Sequence, residues 1–401
     1  MRLAWLTPLP PMPSGISDYS AELLPLVAER AEVEVFCPPA RGRRGPPGIP
    51  VRPPDDLDPS AFDAVIHHLG NNPQHAFAYR AALRHSGVVV LHDLVLHHLV
   101  AYLYVERERH PERYRDVLVD DLGPEAGSAL ARLRLRGVAT ELEKFAFPLI
   151  GHVARRAAGV IVHSRWGEAR VAEAAPGVPV EVIPHHAGAP PSGLDGVGRE
   201  EARRRLGLPP DAFLVGHFGF VNRPKQPRAV LEGMAGLRAE RPDARLLVVG
   251  ADNTGGGLGR AAEALGVSDA LVPTGFVDLA RFYLFLKAVD AVVNLRYPSA
   301  GESSGTLARA LAEGRAVIAS DLHAFAELPS DAALTVSVDG PQGEQVAAHL
   351  IRLARDPGLR RRLEDGARGY ARRELDPLRC RDAYLRFAAR TGGRLAIGGS
   401  K

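Results

Sequence analysis

The stretch Ala291–Ala312, AVVNLRYPSAGESSGTLARALA, carries a strand, a loop and a helix in succession. Ala291–Leu295 is a short apolar run of the kind that a sheet buries on both faces. Leu307, Ala310 and Leu311 share one face of a helix at a spacing of three to four. Between them lies Arg296-Tyr297-Pro298-Ser299-Ala300-Gly301-Glu302-Ser303-Ser304-Gly305-Thr306. The small residues Ser303–Thr306 let backbone amides at a helix start come close to an anion, where the unpaired N–H groups and the helix dipole favour negative charge. Glu302 precedes them and can accept hydrogen bonds from hydroxyl groups.

The same unit repeats outward in both directions. Toward the C-terminus Ala316–Ala319 and Ala333–Val338 read as strands, and Gln342–Arg390 as successive helices. Toward the N-terminus come Leu271–Phe276, Leu246–Val249 and Phe213–Phe218, each followed by a helical pattern. The segment His185–Gly198, HHAGAPPSGLDGVG, is rich in Pro and Gly and reads as a linker. Before it the rhythm resumes in Leu3–Leu6, Val33–Phe36, Ala64–Ile66, Val88–Leu91, Val160–Val162 and Val180–Ile183. Alternating strands and helices predict two doubly wound α/β domains with parallel sheets. The domains are expected at 1–184 and 199–374, with 185–198 between them and 375–401 as a C-terminal helix and tail that packs back on the first domain. Residues 94–156 read as a helical insertion, and Arg41–Pro54 as a Pro/Gly/Arg-rich loop.

Composition narrows the function. The chain has 401 residues, 46% hydrophobic and 24% charged, with a formal net charge of +3. No block of like charge marks a nucleic-acid partner. Cys37 and Cys380 form no CxxC pair and suggest reduced thiols in a cytosolic protein. The first residues are broken by Pro8 too early for a signal peptide. No apolar run reaches the length of a membrane span. A cytoplasmic protein is expected, with peripheral contact to the inner membrane face left open through the charged insertion.

Three further motifs follow apolar strands. Pro13-Ser14-Gly15-Ile16-Ser17-Asp18-Tyr19 is a tight turn into a helix; it is not GxGxxG, and a single Gly there is often only a turn. His92-Asp93 stands at the carboxyl end of Val88–Leu91, where open α/β sheets bind ligands; the bland reading is a helix start. Phe218-Gly219-Phe220-Val221-Asn222-Arg223-Pro224-Lys225 puts two cations in a strand-to-helix loop, which suits a diphosphate or is merely solvated charge. His92, His97 and His98 lack a metal-binding spacing, as do the pairs His67-His68 and His185-His186. Asp56-Leu57-Asp58 matches DxD but lies in a Pro-rich loop.

The stretch YPSAGESSGTLARALAEGRAVIAS resembles the donor-site signature of retaining glycosyltransferases of the GT-B fold, in particular glycosyltransferase family 4, the group 1 glycosyltransferases. SGISDYS, GNNPQHAFAY, VLHDLVLHH, VHSRWGEA and FGFVNRPK keep the family's order, so the resemblance spans nearly the whole chain. It implies two Rossmann-like domains facing a cleft. Glu302 then resembles the glutamate that holds the donor sugar's hydroxyls. Ser303, Ser304, Gly305 and Thr306 match the loop whose amides bind the diphosphate. Lys225 matches the phosphate-binding lysine, with Arg223 and Asn222 beside it. Gly15 and Ile16 match the N-terminal glycine loop, and His92 the histidine near the donor sugar. Phe276 and Val277 match the segment lying against the base. Asn71 and His75 are the acceptor-side candidates.

One departure concerns the ribose. The family often carries a second glutamate two turns along the helix; here Arg309 or Ala310 stands there, and Glu313 lies further on. The resemblance implies transfer of a sugar from a nucleoside-diphosphate sugar to a sugar, lipid-linked or small-molecule acceptor. Configuration is retained, and no metal or cofactor is needed. The alternatives are a sugar-nucleotide epimerase of the same architecture and a non-catalytic sugar-nucleotide-binding subunit.

Overall fold

The computed structural model describes residues 1–12, 14–39, 45–138 and 140–392. Pro13 of the first turn motif, residues 41–44 of the Arg41–Pro54 loop and residues 393–401 of the tail lie outside the described residues. The chain divides into two compact units. The first comprises Met1–His186, Ala300–Ser303 and Pro377–Lys401; the second comprises Ala187–Ser299 and Ser304–Asp376.

The first unit holds β1 (Arg2–Leu6), β2 (Glu32–Phe36), β3 (Val51–Arg52), β4 (Ala64–Leu69), β5 (Val88–Leu91), β6 (Gly159–Val162) and β7 (Val180–Val182). They form one parallel sheet in the order β3-β2-β1-β4-β5-β6-β7. The central strands are mostly apolar because helices cover both faces, β4 adding the buried rings of His67 and His68. Ala4, Leu6, Val65, Val89 and Val160 feed one core, and Leu3, Trp5, Ile66, Val88 and Ile161 the other. The helix Pro377–Gly392 closes the second of these with Tyr384 and Phe387. Tyr384 stacks on Trp5 with ring centroids 5.4 Å apart. Between residues 94 and 156 the chain is mostly helical, including a wider π-turn at Tyr102–Arg107.

The second unit holds β8 (Leu214–Phe218), β9 (Arg245–Val249), β10 (Leu271–Gly275), β11 (Ala291–Asn294), β12 (Ala316–Ser320) and β13 (Ala333–Val336). Their order is β10-β9-β8-β11-β12-β13, and all named pairs are parallel. Val215, Val293 and Ile318 face one core while Leu214, Val292 and Val317 face the other. Buried Asp290 ties the elements together: it accepts from Arg203 Nη2 at 2.7 Å and from Leu214 N at 2.8 Å.

The sequence reading of two doubly wound parallel sheets holds. In each sheet the strand order reverses once, between β1 and β4 and between β8 and β11. Those switch points, at the carboxyl ends of the strands, are where open α/β sheets bind ligands. Among the described residues no helix is long and apolar enough to cross a membrane.

Candidate active site

In the first unit, Ser14 caps the helix Gly15–Ala28 by accepting from Ile16 N at 3.2 Å. A Cβ on Gly15 would meet no atom within 4 Å. Ile16 packs across the switch point: a Cβ on Gly70 would lie 2.6 Å from its Cδ1 and 3.0 Å from His75 Nε2. His75 is fully buried and donates Nδ1–H to the His68 carbonyl at 3.0 Å. Burial holds its pKa down at about 4. Asn71 is committed to local structure. Its Oδ1 accepts from His98 N and Leu99 N at 3.1 and 3.2 Å, and its Nδ2 donates to His98 Nδ1 at 2.7 Å.

His92 lies in a buried chain of three imidazoles. His163 Nδ1 is 2.7 Å from the Ile183 carbonyl, which can only accept, so the proton sits on that nitrogen. His163 is neutral, held at about 4 by burial. Its Nε2 therefore accepts from His92 Nδ1–H at 3.0 Å. His92 Nε2 in turn accepts from His68 Nδ1–H at 2.9 Å. Burial first, and the neighbouring imidazoles second, hold His68 and His92 well below the usual histidine range. One carbonyl thus fixes three tautomers, and both ring nitrogens of His92 are occupied. Tyr19 packs edge-on against His92 at 4.9 Å, and its hydroxyl donates to Tyr384 at 2.9 Å.

Asp93 follows His92, and its Oδ2 accepts from Asn71 N at 2.6 Å. Glu302 lies in the segment that belongs to this unit, and its Oε2 accepts from Ala300 N at 2.8 Å. The segment is fixed by Leu94 N donating to Ala300 O at 2.7 Å. Gly301 has φ 74°, and a Cβ there would lie 2.3 Å from the Trp166 ring. Burial, and then the Glu302 carboxylate, push the Asp93 pKa up to about 7.

Most of the other predicted residues gather around one switch point in the second unit, while Ser303 ends the segment assigned to the first. The helix Gly305–Ala312 begins at Ser304, whose Oγ accepts from Leu307 N at 3.3 Å and donates to Asn294 Oδ1 at 3.2 Å. Thr306 Oγ1 lies 2.9 Å from Ser304 Oγ. Ser303 Oγ is buried without a partner. Lys225 is 7% exposed and donates to Phe218 O at 2.7 Å. Gly219, with φ 80°, leaves room for it: a Cβ there would lie 2.6 Å from Lys225 Nζ and 3.4 Å from Thr306 Cγ2. Lys225 and Thr306 therefore share one wall. Asn222 starts the turn Arg223–Lys225 with a buried, unpartnered Oδ1, whereas Arg223 is exposed. Phe276 stands apart at the end of β10, 79% exposed, with Val277 half-buried beside it.

The predicted residues therefore fall in two sets. Gly15, Ile16, Asn71, His75, His92 and Glu302 lie in the first unit. Asn222, Lys225, Ser304, Gly305 and Thr306 lie together in the second. The ribose position is occupied by buried Arg309 and Ala310, while Glu313 pairs with Lys287 at 2.6 Å. Asp58 of the DxD-like stretch caps a short turn through Ser60 N at 3.0 Å. Four residues escaped the sequence reading: Tyr19, His163, Asn294 and Arg296. His163 repeats the His92 signal, a histidine directly after a four-residue apolar strand.

The family model described as glycosyl transferases group 1 matches residues 198–370, the span that holds Lys225 and the Ser304–Thr306 turn. Over this span, under half of the chain, the protein is similar to the group 1 glycosyl transferases. The D-inositol 3-phosphate glycosyltransferase of Streptomyces bingchenggensis is 35% identical to it over 189 residues, 44% of this chain and 40% of that protein. In that match the chain thus spans about two fifths of the relative's length. A protein of the same name from Streptomyces scabiei is 28% identical over 391 residues, 89% of this chain and 82% of that one. The crystal structure of Anabaena HepE with UDP and glucose matches this chain with a TM-score of 0.65 at 17% identity, covering 97% of this chain and 100% of the other. That likeness concerns the fold: two parallel-sheet α/β units, as in GT-B glycosyltransferases.

Proposed function

We propose that the protein is a retaining, metal-independent glycosyltransferase that uses a nucleoside-diphosphate sugar. The observation that carries this reading is buried Lys225 beside the capped start of the helix Gly305–Ala312, inside the region matched by the family model. A fixed ammonium and free helix-terminal amides stabilise the charge that grows on a departing diphosphate. Glu302 orients the donor sugar through its hydroxyls. The residues around His92 and Gly70 serve the acceptor side. The bond from the anomeric carbon to the phosphate oxygen breaks, and the acceptor oxygen bonds to that carbon on the same face. The acceptor proton passes to the leaving phosphate. No buried carboxylate nucleophile is assigned, which favours this front-face course over a double displacement.

The neighbour solved with UDP and glucose makes UDP-sugars the first donors to try, and the relatives' name makes an inositol phosphate the first acceptor. Release of UDP, GDP, ADP or TDP from the matching sugars is assayed with and without acceptor and EDTA. The anomeric configuration of the product is read by NMR. Glu302→Gln is expected to cut turnover at least tenfold while the free nucleoside diphosphate binds nearly as before. A collapse of diphosphate affinity in that variant would remove Glu302 as a sugar ligand. Absence of any donor cleavage by the wild-type chain would overturn the reading.

A further inference from the structure

In the first unit, two loops that follow neighbouring strands carry residues with no role in the reading above. β5 leads into His92, Asp93 and Leu94, and β6 leads into His163, Ser164 and Trp166. The bond from His92 Nδ1–H to His163 Nε2, at 3.0 Å, ties the two loops at their base. Farther along, Ser164 caps the helix Arg165–Ala174 by accepting from Gly167 N at 3.1 Å, which sets Trp166 in the first helical turn. A Cβ on Gly167 would lie 3.4 Å from Leu94 Cδ2, so that turn also rests against Leu94. Trp166 is half-buried and packs on the core of this unit.

Leu94 and Trp166 enclose Gly301 from two sides. A Cβ on Gly301 would lie 2.8 Å from Leu94 Cβ and would overlap the outer edge of the Trp166 indole, with Cη2 3.1 Å away. Glycine is required there twice over, by its φ of 74° and by the ring. One residue earlier, Leu94 N donates to Ala300 O at 2.7 Å. One residue later, the half-buried Glu302 accepts from Ala300 N through Oε2 at 2.8 Å. The Glu302 carboxylate is therefore carried by a short segment that rests on one backbone bond and one indole edge.

We propose that Trp166 is a positioning residue: its indole edge seats the Gly301 backbone and so aims Glu302 at the donor sugar. The inference rests on the assignment of Glu302 to the sugar hydroxyls and extends it. Trp166 acts through Gly301 and is not itself a sugar ligand. A misplacement of about 1 Å in a group that orients substrate can cost on the order of a hundredfold in rate. Removing the indole edge therefore lowers turnover. The free diphosphate, bound under the same reading by Lys225 and the helix start of the second unit, keeps its affinity.

The test is steady-state cleavage of the fastest donor among UDP-, GDP-, ADP- and TDP-glucose by the full chain, with affinity for the matching diphosphate measured by calorimetry. Trp166→Leu is expected to cut kcat at least tenfold and to leave diphosphate affinity within twofold. Gly301→Ala, whose added methyl meets the indole, is expected to do the same in the wild-type background. In the Trp166→Leu background that methyl has less to meet, so Gly301→Ala is expected to cost at most threefold more. A folded Trp166→Leu with kcat within twofold of wild type would overturn the proposal. So would losses that simply multiply in the double variant, or a matching loss of diphosphate affinity. Should Trp166→Leu not fold, Trp166→Phe decides: a threefold or greater fall in kcat with diphosphate affinity kept supports the seat, and unchanged kcat overturns it. Unchanged turnover in the Trp166 variants beside the expected loss in Glu302→Gln overturns the seat alone. If the wild-type chain cleaves none of the four donors, the donor reading itself falls and this inference with it.

Discussion

The carboxyl ends of the two sheets are built from opposite chemistry. In the first unit β4, β5 and β6 carry or lead into His68, His92 and His163, stacked with Trp5 and Tyr19 into a buried block of neutral rings. In the second unit β8 and β11 lead into Gly219, Lys225, Asn294 and Arg296, cations and small polar groups beside a helix start. Imidazoles kept neutral can hold shape and accept or pass hydrogen bonds, but they hold no anion. Fixed cations and free amides do the reverse. Under the proposed function anion binding falls to the second unit, and the contrast makes each unit respond differently to pH, charge and capping.

The largest expected effect is acid unfolding of the first unit. Burial depresses His67 to about 3 and His75, His97 and His163 to about 4. In the second unit burial depresses His217 to about 3. A histidine with a lowered native pKa takes up its proton more readily when unfolded. Its stabilisation is therefore full above about 6.5 and is lost as pH falls toward the native value. Each costs up to about 1.4 kcal/mol per pH unit in that window. At pH 5 the four in the first unit amount to at most roughly 8 kcal/mol, against roughly 2 kcal/mol for His217, in domains typically stable by about 5–15 kcal/mol. Hydrogen exchange at pH 5 is expected to show β4, β5 and β6 losing protection while β8, β11 and β12 keep it. Equal loss in both units would break the comparison.

A smaller effect runs with the opposite sign. Asp93, pushed up to about 7, binds its proton more tightly when folded. Its contribution is present below about 3.8 and is lost as pH rises toward 7. Asp93→Asn mimics the protonated carboxyl at every pH. The variant is expected to melt close to wild type at pH 4 and above it from pH 7 upward, by on the order of 2 kcal/mol once the partial exposure of the group is discounted. A gap that does not grow between pH 4 and 7 would mean that burial and the Glu302 carboxylate do not raise Asp93.

The sheets were legible because most of their central strands are apolar runs. β3 was not, since Val51-Arg52 is too short and half polar. β4 was read three residues short, at Ile66, because His67 and His68 look polar in sequence. In the fold they are neutral, desolvated rings, and Trp5 stacks on His68 at 4.8 Å. The helix start at Ser304 was legible from its small residues. The need for glycine at 301 was not, because the clash that enforces it comes from Trp166, far away in the chain. Arg296 stood in plain view at the head of the most specific motif. Its burial depends on strand order, which spacing along the chain does not encode.

The smallest effect separates capping from binding. Ser304→Ala removes an N-cap whose bond to Leu307 N is long, 3.3 Å, so a cost of about 1 kcal/mol is expected, or a few degrees in Tm for a unit of this size. Ser304→Gly keeps the backbone geometry available to a cap and costs only a few tenths of a kcal/mol. If the turn only starts a helix, both variants bind nucleoside diphosphate as wild type does, and stability alone tracks the substitution. If the amides of Gly305 and Thr306 hold the phosphate, the hydroxyl that ties Ser304 to Asn294 also keeps those amides aimed. Affinity then falls several-fold in both variants, including the glycine variant whose stability hardly changes. A loss of affinity in Ser304→Gly without a loss of stability is therefore the signature of an anion site, and a cap alone does not produce it.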